Sequence, residues 1–234
     1  MRNPQQFELP GSYVPVAQRS VETRSTFINR TYNHLMGAIV GFTLFEVWLF
    51  SSGLAEPIAN AMSGSWLLVL GGFMLVSWFA TRLAHKSESL AAQYAGLAAM
   101  VVAYGVLFAP MLYIANSMAN GVIQSAAGVT LLGFMGLTAV AFTTRKDFSF
   151  LSGMLRWGGI LALLSIVAGV VFGFQLGTWF SVAMVGFAGA AILYDTSNVL
   201  HHYPEDRYVA AALQLFASVA LMFWYVLRIF MSRD

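Results

Sequence analysis

Cysteine is absent from this sequence and charged residues are scarce, and both absences exclude classes of function. The 234 residues include no cysteine, and only 9% of them are charged. The chain therefore cannot form a disulfide, use a thiolate nucleophile or bind a metal through cysteine. Soluble proteins average about 25% charged residues, so this composition is too poor in charge for a soluble domain. A net charge of +2 is also too small to indicate a nucleic-acid partner.

The chain has instead seven apolar stretches, each close to the roughly 20 residues that cross a hydrocarbon core of about 30 Å. These stretches predict an all-α polytopic membrane protein whose first partner is the lipid bilayer. We predict one seven-helix membrane domain over residues 27–234, after a polar segment, 1–26, which is punctuated by prolines and predicts a mobile tail. The predicted spans are 32–54, 65–83, 91–115, 122–142, 154–174, 179–200 and 208–231.

Basic residues lie mostly on one side of the predicted spans. Ten of the twelve Lys and Arg residues are in the tail and in the links that follow the second, fourth and sixth spans. They are Arg2, Arg19, Arg24, Arg30, Arg82, Lys86, Arg145, Lys146, Arg156 and Arg207. Because basic residues favour the cytoplasmic side of a membrane, we expect the N-terminus in the cytoplasm and the C-terminus outside.

The sixth span carries an acidic residue, Asp195, near its cytoplasmic end. An aspartate at a helix centre costs about 2.5–3.5 kcal/mol on insertion scales, so such residues usually face a bundle interior or a water-filled cavity. At 1.5 Å per residue, Asp195 lies about 8–9 Å inside the membrane boundary. We therefore expect it to serve an ion pathway or pH sensing. The alternative is a structural hydrogen bond to a neighbouring helix.

Two further charged residues lie within the spans. Glu46 is in the outer half of the first span, and Arg228 is near the outer end of the seventh. The helical rise puts them roughly 7 Å apart in depth, which allows an ion pair. Such a pair would be either a clamp that neutralises two charges or a part of an ion pathway. Neither residue is expected to contact Asp195.

Sequence signatures of enzymes are missing. The chain has no His-Glu-x-x-His, no Gly-x-Ser-x-Gly and no second aspartate in a Gly-x-Gly-Asp setting. His201 and His202 adjoin acidic residues, but neighbouring histidines do not share one helix face, so we expect a solvated loop rather than a metal site. We predict no enzyme activity, no metal and no cofactor.

Two segments together resemble one family of membrane proteins. They are Thr-Thr-Arg-Lys-Asp-Phe-Ser-Phe-Leu at 143–151 and Leu-Tyr-Asp-Thr-Ser at 193–197. Within seven spans, this combination resembles the Bax inhibitor family, also called the transmembrane Bax inhibitor motif family, and most of all its bacterial YccA-type branch. The resemblance covers about residues 27–234. It implies a bundle with a central last helix in the bacterial inner membrane, with Tyr194, Thr196 and Ser197 as motif neighbours of Asp195.

The resemblance implies two functions. Some members are pH-sensitive calcium leak channels, in which the aspartate matching Asp195 pairs with an aspartate on the seventh helix. Ser218 holds that second position here, so the coupled titration of two carboxyls cannot be carried over. The YccA-type branch implies instead a modulator of the membrane AAA protease FtsH, for which a polar tail is suitable. We expect protease modulation first. The alternative is a pH-sensitive cation leak through Asp195, with calcium as the conducted ion and protons as the signal.

Overall fold

The computed structural model describes residues 14–118 and 121–232. Within these ranges it has eight α-helices after one 3-10 turn at Val16–Gln18. Seven of the eight are long and apolar enough to cross a membrane, which confirms the all-α polytopic prediction. The helices are α1 (Val21–Ser51), α2 (Ala55–Ser63), α3 (Trp66–Lys86), α4 (Leu90–Ser117), α5 (Val122–Thr144), α6 (Leu151–Phe172), α7 (Gly177–His201) and α8 (Tyr208–Met231).

Helix α8 forms the centre of the bundle. In its most apolar stretch 72% of the residues are buried, against 11–39% in the other six spanning helices. It packs against α1, α3, α4, α5 and α7. Three consecutive alanines at its start, Ala210, Ala211 and Ala212, are fully buried, because side chains this small let neighbouring backbones approach closely. The central last helix implied by the family resemblance is thus confirmed.

The predicted tail is too long at its C-terminal boundary. Helix α1 begins at Val21 rather than after residue 26, and the hydroxyl of Ser20 caps it by accepting from the Thr23 amide at 3.2 Å. The preceding turn is held against the link between α7 and α8, where the Val16 amide donates to the Tyr203 carbonyl at 2.8 Å. Residues 1–13 of the predicted tail lie outside the described residues, so its mobility there stays a prediction.

Helix α2 was missed by the sequence analysis, which treated the connection between the first two spans as a loop. At nine residues it is too short to cross a membrane, and it packs on α4. Its buried residues, Ala55, Ala59 and Met62, have the spacing of one helix face. This pattern is present in the sequence of the ten-residue link between the first two predicted spans.

The start of α1 and the links α3–α4, α5–α6 and α7–α8 meet at one end of the bundle, which we call the basic end. Their contacts are direct. The Arg207 guanidinium donates to the Ser87 carbonyl across two links, and His202 contacts Asp147 across another pair. The basic end brings together Arg82, Lys86, Arg145, Lys146 and Arg207. Helix α7 ends at the basic end, so Asp195 lies toward that end. Helix α1 begins there, so Glu46, which is near the end of α1, lies toward the opposite end.

Candidate functional site

Asp195 on α7 and Ser218 on α8 form a buried pair. The Ser218 hydroxyl donates to Asp195 Oδ2 at 2.5 Å, and the two residues are 2% and 6% exposed. The residue that the family resemblance matches to a second aspartate therefore lies against Asp195. The side chain is a serine, so this position supplies a neutral hydrogen-bond donor instead of a second titratable carboxyl.

A second residue on α8, Gln214, also donates a side-chain hydrogen bond to Asp195. Sequence reasoning missed it, although a signal existed. Gln214 precedes Ser218 by four residues, and residues at this spacing lie on the same face of a helix. Asp195 is thus held by two neutral donors on successive turns of the central helix, an arrangement that fixes the carboxyl in place.

The three motif neighbours of Asp195 have different surroundings. Tyr194 is half-buried, whereas Thr196 is fully buried with its hydroxyl close to that of Tyr32 on α1. Thr138 on α5 approaches the same tyrosine hydroxyl. Among the described residues, the hydroxyls of Tyr32, Thr138 and Thr196 form no hydrogen bond of good geometry. They make a small polar cluster next to Asp195 that can still accept or donate hydrogen bonds.

Ser197 connects α7 to the α5–α6 link. Its hydroxyl accepts from the Phe148 amide at 2.9 Å. The neighbouring Asp147 accepts from the Ser149 amide at 2.9 Å through Oδ1 and contacts His202 Nε2 at 3.0 Å through Oδ2. The two sequence segments that carry the family resemblance therefore contact each other. His202, expected in a solvated loop, is in fact a partner of the first segment.

Asp147 lies outside the spanning helices, and its pKa is lower than the ordinary value. Slight burial by itself raises the pKa of this carboxyl. The hydrogen bonds from the Ser149 amide and from His202 outweigh that effect, because they stabilise the charged form. The contact is an ion pair whenever His202 is protonated.

Glu46 and Arg228 are not brought together. Both carboxyl oxygens of Glu46 are buried without a hydrogen-bond partner. Arg228 lies in the last turn of α8, in a different groove, with Trp66 and Phe174. Depth along the helices allowed this pair, but the two side chains face different parts of the bundle. Across residues 14–118 and 121–232, no group of three or more His, Asp or Glu side chains is placed to hold a metal ion.

This architecture defines a multi-pass membrane protein with seven spans, built around a buried last helix that holds one acid through neutral donors. Residues 24–234 match the family described as Inhibitor of apoptosis-promoting Bax1, so the chain belongs to the Bax inhibitor family.

Relatives occur in bacteria and in yeast. The chain is 32% identical over 185 residues to Modulator of FtsH protease YccA of Escherichia coli, which covers 77% of this chain and 82% of that protein. Its counterpart in another E. coli strain is described as an inner membrane protein. Bax inhibitor 1 of Schizosaccharomyces pombe is 29% identical over 227 residues, covering 92% of this chain and 79% of the yeast protein. These relatives are named as modulators or inhibitors rather than as enzymes.

Proposed function

We propose that this protein modulates membrane protein quality control through an FtsH-type AAA protease, without catalysing a reaction itself. The observation that carries the proposal is the relation to the E. coli modulator, which extends over 77% of this chain. In this proposal the protein lies in a bacterial inner membrane, with the basic end in the cytoplasm. That orientation follows from the concentration of Lys and Arg at the basic end.

The surroundings of the N-terminal segment support the proposal. Val16 is 1% exposed and donates its amide to Tyr203, and Arg19 forms an ion pair with Glu205 at 3.5 Å. The described chain thus begins at the basic end, on the side where a cytoplasmic protease would act in this proposal. Residues 2–13 include Pro4 and Pro10 and few large apolar residues, a composition that is poor at forming a packed core.

Deletion of residues 2–13 tests the proposal. We expect the deletion to abolish both degradation of this protein by an FtsH-type protease and its effect on degradation of a second membrane substrate. The bundle should stay folded, because the Val16–Tyr203 bond is retained. The matched control replaces residues 2–13 with a Gly/Ser segment of equal length. Unchanged proteolysis and unchanged complex formation after the deletion would refute the role of the tail.

A second candidate function is a cation leak that responds to pH through Asp195. It is favoured by one observation: this buried carboxyl is held by neutral groups, so a change in its protonation is not offset by a cationic partner among the described residues. Calcium flux into liposomes across pH 5 to 8 tests it. Flux that Asp195→Asn alters would support the leak. Flux that arises only with Ser218→Asp would mean that the scaffold conducts but the native gate is lost.

The two candidates predict opposite responses to the same pair of variants. Deletion of residues 2–13 should remove protease modulation and leave any leak intact. Asp195→Asn should alter a leak and leave protease modulation intact. A protein silent in liposomes, with Asp195→Asn and Ser218→Asp also silent, would favour the modulator, once correct reconstitution has been verified by protease accessibility of the two ends.

A further inference from the structure

A groove between α1 and α5 lies toward the opposite end of the bundle from the basic end. Its volume is about 770 Å³, which is within the range of small-molecule sites. Helices α1 and α5 both pack on α8. Their backbones stay apart, and side chains join them toward the basic end, where Tyr32 of α1 packs on Phe134 and Phe142 of α5. The floor is formed by α8 and the walls are mostly apolar, with Phe42, Leu131, Phe216 and Phe223 among the lining residues.

One acid, Glu46, is buried in this groove with no cationic partner in the described part of the chain. The residue is 7% exposed, and neither Oε1 nor Oε2 has a hydrogen-bond partner. A buried polar group that lacks a partner is destabilising by about 1–3 kcal/mol, and more when it is charged. The hydroxyl of the nearby Thr43 is already engaged with the Ile39 carbonyl at 2.9 Å, whereas the hydroxyl of Thr130 is also unpaired.

The charge pattern of the groove selects its ligand. Among the described lining residues there is no Lys, Arg or His, and Glu46 is the only acid. An acidic lipid would bring a second negative charge, and a phospholipid headgroup would bring a phosphate with no cation to pair it. A protonated amine donates hydrogen bonds and carries the opposite charge, so it complements the carboxyl.

We propose that this groove binds a lipophilic amine, with the ammonium group at Glu46 and the hydrocarbon body between α1, α5 and α8. Glu46 lies five residues before the end of α1, about 8 Å below it by helical rise. A ligand can therefore reach it sideways from the hydrocarbon region, through the groove between α1 and α5, beyond their contact at Tyr32. Exposed amides of Asn116 and Gln124, which also line the groove, are available to a second polar group of the ligand. This site is independent of the protease-modulator function.

The test is photolabelling of the full chain in nanodiscs of neutral phosphatidylcholine. The probe is decylamine with a diazirine on its chain, and decanol with the same diazirine is the matched neutral probe. Labelled peptides are identified by mass spectrometry. We expect decylamine to label the lining segments of α1, α5 and α8 about tenfold more than decanol does, because hydrogen bonds to a charged group contribute about 1.5–3 kcal/mol.

Two variants separate recognition from general membrane partitioning. Glu46→Gln keeps the shape of the side chain and should reduce labelling by decylamine to the level of decanol. Glu56→Gln removes an acid on α2 that does not line the groove and should change nothing. If Glu46→Gln does not fold, Ala127→Trp fills the groove without altering the carboxyl and should abolish labelling by both probes.

Three results would overturn the proposal. The first is equal labelling of the groove by the amine and the alcohol. The second is labelling by decylamine that survives Glu46→Gln in a folded protein. The third is labelling of the groove no stronger than that of lipid-facing residues such as Leu161 on α6, which is 61% exposed.

Discussion

Asp195 and Glu46 are both buried acids, yet they lie in contrasting parts of the bundle. Asp195 is between α7 and α8, which pack closely along their length, and it receives hydrogen bonds from Ser218 and Gln214. Glu46 faces a groove between α1 and α5, and neither of its oxygens has a partner among the described residues. A satisfied carboxyl contributes to the assembly of helices, whereas an unsatisfied one destabilises the empty protein and favours a ligand. Burial alone does not distinguish the two.

Removal of the Ser218 hydroxyl should have the largest effect on stability. We expect Ser218→Ala to lower the free energy of unfolding by about 1–3 kcal/mol, because the buried Asp195 carboxyl loses a donor. Reversible unfolding of the purified protein in mixed micelles measures it. The control is Ser165→Ala, since the exposed Ser165 hydroxyl bonds only to its own helix, and this change should stay within about 0.5 kcal/mol. Equal effects of the two substitutions would contradict the contrast.

Substitution of Glu46 should have the opposite sign. Glu46→Met replaces an unpaired buried carboxyl by an apolar side chain of similar length, so we expect the free energy of unfolding to rise by about 1 kcal/mol. The same unfolding measurement applies. Glu56→Met on α2 is the matched control, because Glu56 is exposed and its replacement should be nearly neutral. A clear loss of stability in Glu46→Met would mean that the carboxyl already has a partner.

Gln214 offers a smaller and more specific test of the Asp195 site. Gln214→Leu should lower the free energy of unfolding by about 0.6 kcal/mol, the average for a hydrogen bond between membrane helices. Gln214 and Ser218 share one acceptor, so the double variant should not show the sum of the two single effects. Simple additivity would indicate that Gln214 acts on stability through contacts other than Asp195.

The smallest effect is expected at Asp147, on the surface of the basic end. In the folded protein the pKa of Asp147 is below the ordinary value of 3.8. The contribution of this carboxylate to folding stability is therefore present above pH 3.8 and is lost as the pH falls through the folded pKa. The side chain is 45% exposed, so the contribution should be only a few tenths of a kcal/mol. Asp147→Asn should therefore melt at a lower temperature than the native protein at pH 6, and the difference should shrink as the pH falls below 3.8.

Amide hydrogen exchange at Phe148 gives a local readout of the same contact, since this amide donates to Ser197 beside the Asp147–His202 pair. Exchange at Phe148 should be faster in Asp147→Asn at pH 6. Glu88→Gln, which also removes one exposed acid at the basic end, is the control and should leave exchange at Phe148 unchanged. A faster rate in both variants would point to net charge rather than to the contact.

The seven spans were predictable because each is a long apolar stretch, and the family resemblance indicated that Ser218 lies near Asp195. Other features depended on information that the sequence pattern does not hold. Helical rise gave the depths of Glu46 and Arg228 but not the directions in which they face, so it allowed a pair that the structure does not form. The start of α1 was placed too late because its first turns are polar and extend beyond the apolar stretch.

Contacts between distant loops were the hardest to predict. Asp147 and His202 are 55 residues apart in the chain, and nothing local to either residue indicates the other. Gln214 was missed for a different reason, since on that helix only Arg228 and the position matching a family aspartate, Ser218, were singled out. A check of the residues one turn away from Ser218 would have found it.

The central position of α8 has a consequence for biogenesis. The ribosome makes this helix after the six spans that come before it, so those spans enter the membrane before the element that joins them exists. Until α8 inserts, the faces of α1, α4, α5 and α7 that later contact it are exposed to lipid or to one another. Completion of the bundle is then a late, single event, and a nascent chain with a defective α8 would be inserted but unassembled.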